Sequence, residues 1–170
     1  VTLTGGESTI RFFLNITGTP NGAESIKISP INSSSIYDKK GNAMSSNQSS
    51  GTKLLKDKIS PLISSVYLSP DNSTLAVTMS EAVFNTNSGS GTLEANDFIF
   101  SISGGNASLS DTTPTSISVS GNVYTLGIGL SGSVNGSESL TVNPIDNGIY
   151  DSAGNEASTS QNNNSTTLYD

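Results

Sequence analysis

Fourteen carboxylates, and not one imidazole, thiol or indole, set the chemistry open to this chain of 170 residues. Without His or Cys there is no Ser-His-Asp or Cys-His nucleophile, no imidazole or thiolate metal site, no CxxC redox pair and no disulfide framework. Carboxylate chemistry is what remains. Asp38 and Asp151 each open an Asp-x-x-Gly-Asn turn, ending at Asn42 and Asn155. There a carboxylate accepts backbone N–H groups just ahead of it, while Gly supplies a positive φ. Oxygen-only ligands also suit a hard cation, so Asp38 and Asp151, joined by Asp57, Glu81, Asp97 or Asp170, are the candidate ligands for Ca²⁺. Neither a 12-residue EF-hand loop nor a nonapeptide calcium repeat accompanies them. No cofactor is required by this reading; calcium is the one the residues admit.

A second carboxylate pair sits in Asn-Gly-x-Glu, at Asn21 to Glu24 and at Asn135 to Glu138. Glycoside hydrolases place two such groups about a sugar. A turn leading into a strand explains both copies more simply, because a residue repeated in each module belongs to the architecture. No catalytic residue is therefore expected, and no enzyme. Eight Asn-x-Ser/Thr sequons occur, at Asn15, Asn32, Asn47, Asn72, Asn106, Asn135, Asn163 and Asn164. About five would arise by chance in so Ser/Thr-rich a chain. Asn32, Asn47 and Asn164 are the expected exposed carriers if glycans are attached; otherwise the sequons only reflect composition.

The elements that hold these residues form an internal repeat. Apolar residues alternate at Ile10, Phe12, Leu14 and Ile16, and again at Tyr124, Leu126, Ile128 and Leu130. Each run leads to Asn-Gly-x-Glu, then to a short strand closed by Pro30 or Pro144, then to Ile-Tyr-Asp-x-x-Gly-Asn at 36–42 or 149–155. The match continues through Gln48 and Gln161 to Asp57 and Asp170, at a spacing of 113 to 114 residues. Residues 58–170 thus make one full module, and residues 1–57 correspond to the second half of one. Half a sandwich cannot bury its inner face alone, so the expectation is completion by a neighbouring repeat or subunit.

Within the full module, period-2 alternation and turn residues predict strands near 63–68, 75–79, 98–103, 107–110, 115–120, 123–130, 139–142 and 166–169, with at most a helical turn near 94–97. Ser69-Pro70-Asp71-Asn72 and Gly121-Asn122 provide hairpin turns. The fold class expected is all-β, an antiparallel sandwich of Ig-like architecture. The stretch "SSVYLSPDNSTLAVTMSEAV" and the turn "IYDSAGNEAS" resemble parts of bacterial Ig-like surface repeats, the modules of S-layer-type proteins, very large adhesins and cyanobacterial surface proteins. That resemblance implies extracellular structural or adhesive work, with neighbouring copies or repeats as partners.

Charge is polarised along the chain. All seven basic residues lie in the first 58 positions beside four acidic ones, a net of +3, and the remaining ten acidic residues stand alone, a net of −10. An anionic total of −7 disfavours nucleic acid, and no apolar run is long enough for a membrane helix. A cationic start and an anionic end favour head-to-tail contacts, although a solvated face would look the same. The function expected is that of a structural repeat in an extracellular filament, surface layer or large adhesin, assembled by strand complementation or tandem stacking. The alternative is a carbohydrate- or surface-binding module displayed on such an array, with surface glycans as partners.

Overall fold

Alternation of side chains along the strands decides which residues meet in the core. In the computed structural model, which describes residues 4–170, the strands in chain order are β1 (Ser25–Ile26), β2 (Lys53–Leu54), β3 (Ile63–Leu68), β4 (Thr74–Met79), β5 (Phe98–Ser103), β6 (Ser108–Leu109), β7 (Ile117–Ser120), β8 (Val123–Gly127), β9 (Leu130–Ser131), β10 (Ser139–Pro144) and β11 (Ser165–Thr167). All the pairings are antiparallel. The chain divides into two units, Val1–Ile59 and Ser60–Asp170.

The second unit is a sandwich. One sheet runs β3-β4-β8-β7 and the other β11-β10-β5, with a small β6-β9 pair beside them. Leu75, Val77 and Met79 point inward from β4, and Tyr124 and Leu126 from β8. They meet Phe98 and Phe100 of β5 and Leu140 and Val142 of β10 in one core. Residues between them on the same strands stay at the surface, as expected for sheets covered on one face. The Phe98 and Tyr124 rings lie 6.1 Å apart and tie the two sheets. Ser69 to Asn72 make the β3–β4 turn, where the Asp71 carboxylate accepts the Ser69 and Ser73 hydroxyls and Asn72 takes φ 58°.

Two expected strands differ. The run 123–130 breaks after Gly127 because the chain changes partners: Gly127 N–H donates to Ser116, Ile128 N–H to Ser73, and the Gly129 carbonyl accepts from Ser110. A Cβ on Gly127 or Gly129 would collide with the hydroxyls of Thr115 and Ser116 or of Ser110, so glycine permits this corner. The run 10–16, its repeat counterpart, forms no strand. In the second unit β8 is held between β4 and β7, and among the described residues of the first unit no strand stands in either place. The expected turn near 94–97 is a 3-10 turn at Ala95–Asp97, closed by Asp97 accepting the Glu94 N–H at 2.7 Å.

The first unit is sparse, a β1–β2 pair plus a Tyr37–Ala43 bridge. None of its described residues is buried.

Candidate functional site

The carboxylate-centred turns show how closely the two units agree. In the second unit Asp151 Oδ1 accepts the Ala153 and Asn155 N–H groups, both at 2.8 Å, and Oδ2 accepts the Asn155 amide at 2.7 Å. In the first unit Asp38 does the same with Lys40, Asn42 and the Asn42 amide, at 2.8, 2.9 and 2.8 Å. Gly41 and Gly154 close the turns at φ 85° and 83°. The side-chain and backbone bonds from Asn42 hold the Asp38 carboxyl below its usual range.

The Asn-Gly-x-Glu turns match equally well. Glu24 accepts the Asn21 N–H at 3.0 Å and Glu138 the Asn135 N–H at 3.1 Å. Asn21 accepts from Ala23 and Asn135 from Ser137, both at 3.0 Å. Asp57 and Asp170 each bring a Cβ to 3.4 Å from where a Cβ on Gly22 or Gly136 would stand. β1 pairs with β2 in the register of β10 with β11, Ser25 opposite Leu54 and Ser139 opposite Thr167. The first unit therefore reproduces local geometry of the second half of the sandwich.

What differs is the inner face. Val142, Ile149 and Ala157 are buried in the second unit, while their counterparts Ile28, Ile36 and Met44 are exposed. Leu126 is fully buried and its counterpart Phe12 is 55% exposed. Leu14 is exposed as well, and Ile128 is half-buried. Ile10, Phe12, Ile28, Ile31, Ile36 and Met44 line an open groove of about 580 Å³.

Two polar residues show what is missing from that face. Glu138 is fully buried, and its second oxygen accepts the Asn106 and Ala107 N–H groups at 2.8 and 3.1 Å. Burial pushes this carboxyl up, but the N–H groups of Ala107, Asn135 and Asn106 outweigh it and bring it down to about 2. Gln161 accepts the Ile63 N–H at 2.9 Å, capping β3. Glu24, by contrast, accepts only the Asn21 N–H among the described residues, and Gln48 lines the groove. The repeat placed Glu138 and Gln161 opposite Glu24 and Gln48, but not their reach across the sandwich: no pattern in sequence says which N–H a side chain will meet.

Of the candidate calcium ligands in the second unit, Glu81 and Asp151 come together, and Asp97 and Asp170 are engaged elsewhere. Asp97 is buried and committed to its own 3-10 turn, where desolvation raises its carboxyl. Asp170 lies against Gly136, and Asp57 accepts the Ile59 N–H at 2.9 Å within the first unit. Carboxylate oxygens of Glu81 and Asp151 come within 4.8 Å of each other, but both Asp151 oxygens already serve its turn. Of the sequon residues expected at the surface, Asn32 and Asn47 are exposed. Asn164 is not: it is buried, and its amide nitrogen donates to Val142 O and Asn143 Oδ1, both at 2.7 Å. Its side chain supplies a hydrogen bond that β10 needs and cannot carry a sugar without losing it.

Compared with known proteins, the chain matches no family model, no curated protein and no solved structure. Among the described residues no helix is long and apolar enough to cross a membrane.

Proposed function

We propose that this chain is a structural repeat of an extracellular filament, surface layer or large adhesin, in which Ig-like β-sandwich modules stack in tandem. One observation carries the reading: the first unit has the turns and register of the second half of a module, yet leaves open the apolar face that the full module buries. Such a face has one economical use, as half of a core completed by the neighbouring repeat. The work is mechanical and adhesive rather than catalytic. Load passes through strand hydrogen bonds and buried apolar faces, and the anionic second unit keeps the array soluble.

The test is to complete the first unit. A copy of residues 58–114 fused ahead of Val1 provides the strands that the repeat register calls for. The fused chain is expected to protect backbone amides of residues 10–57 from hydrogen exchange, with the second unit unchanged. A first unit that exchanges as fast with the added strands as without them would refute the reading.

A further inference from the structure

We infer that the open face of the first unit is a docking site for one kind of segment, the first half of a module of this same repeat, selected by Glu24 and Gln48. This rests on the tandem-repeat reading above and adds what the face recognises. The second unit shows both contacts made. There, Glu138 takes the N–H groups of Asn106 and Ala107, and Gln161 takes that of Ile63. In the first unit the equivalent carboxylate and amide occupy the same repeat positions without those donors.

The turn before Asn106 shows how selection works. Gly104 and Gly105 have φ of 78° and 57°, and a Cβ on Gly105 would collide with the Glu138 carboxylate. A docking segment must therefore offer a Gly-Gly turn with two N–H groups facing the acceptor. Any side chain at the second glycine would be both strained and blocked. Glu24 reads the bare backbone of that turn, while Ile28, Ile36 and Met44 receive the apolar side chains that Val142, Ile149 and Ala157 receive in the complete module.

Charge and stoichiometry identify the source. Residues 60–114, the only first half in this chain, hold five carboxylates (Asp71, Glu81, Glu94, Asp97, Asp111) and no base, against a net of +3 on residues 1–59. A segment of this type is attracted to the first unit before any strand pairs. Copies of this chain cannot satisfy one another, because each has two second halves (1–59 and 115–170) and one first half. Any exchange that covers one face uncovers another. The docked segment is therefore the first half of a neighbouring module, one not already spent on its own second half.

The experiment uses the full chain with the copy of residues 58–114 fused ahead of Val1, read by hydrogen exchange and mass spectrometry. Exchange at the Asn106 and Ala107 amides of the added copy is expected to slow at least about tenfold, as each buried charge-assisted hydrogen bond contributes that much or more. Glu24→Gln, and separately Gly105→Ala in the added copy, should each abolish this slowing. Glu7→Gln, whose carboxylate bonds only to Thr4, should leave it intact. The second unit, unaltered in every variant, reports that each chain is folded. Protection that survives both Glu24→Gln and Gly105→Ala overturns the selection by Glu24 while leaving the tandem reading standing. No protection in the unmodified fusion overturns both. If the unfused chain dimerises and the backbone amides of residues 10–57 become protected in the dimer, a second copy is the occupant and the assigned source is wrong.

Discussion

Ile36 and Ile149 occupy the same position in the two copies of the repeat, two residues before the Asp-x-x-Gly-Asn turn, and they offer an internal comparison. Ile149 has no exposed surface, and Ile36 is 40% exposed. Replacing a fully buried isoleucine by alanine removes its transfer free energy and leaves a cavity, together about 2–5 kcal/mol. For a sandwich the size of the second unit, a central loss of about 3.5 kcal/mol lowers the melting temperature by about 10–15 °C. Ile36→Ala removes contacts only from an open groove and costs under about 1 kcal/mol, moving the main transition by less than about 4 °C. The assay is thermal unfolding of the two variants and the parent by circular dichroism at one concentration and pH. Equal shifts for Ile36→Ala and Ile149→Ala would mean that the first unit shelters this face itself, and the reasoning would fail.

Other expectations follow from the turns. Asp151→Ala removes three hydrogen bonds from a buried carboxylate and should destabilise the second unit by about 3 kcal/mol, measurable by urea titration. Glu138 has a carboxyl lowered from 4.5 to about 2 in the folded chain, so its contribution is full above the unfolded value of 4.5. It is lost as pH falls toward 2. Glu138→Gln should therefore lower stability at pH 7 and flatten the acid dependence between those values in a series of melts. Carboxylate oxygens of Glu81 and Asp151 come within 4.8 Å of each other, so if they take a hard cation the second unit should melt higher in millimolar calcium than with a chelator, and coincident melts would exclude a metal site there.

How far the sequence carried this picture depended on whether a feature was local. The strands at 63–68, 98–103 and 139–142 were legible because their alternation is regular and turn residues bound them, although the last runs on to Pro144. The Asp38 and Asp151 turns were legible because their hydrogen bonds close within five residues. The corner after Gly127 was not, since it depends on which strand the chain meets next. Alternation at Ile10 to Ile16 equally predicted a strand, yet periodicity records only which side chains want a core. A strand also needs neighbours, and among the described residues of the first unit none flanks this run. Asn164 misled for a similar reason: a sequon encodes a surface modification, whereas its amide is committed to the backbone of β10. The candidate site itself was half legible. The repeat exposed an incomplete module, but the acceptor role of Glu138 and Gln161 depends on loops brought together across the sandwich.

The central claim is that the face lined by Phe12 and Met44 is open in this chain and covered in the assembly it serves. Hydroxyl-radical footprinting of those two side chains, compared between purified residues 1–170 and the native assembly, measures this directly. The account predicts strong labelling of Phe12 and Met44 in the purified chain and loss of it in the assembly, with Leu126 protected in both. Equal labelling of Phe12 and Met44 in the two samples would contradict it.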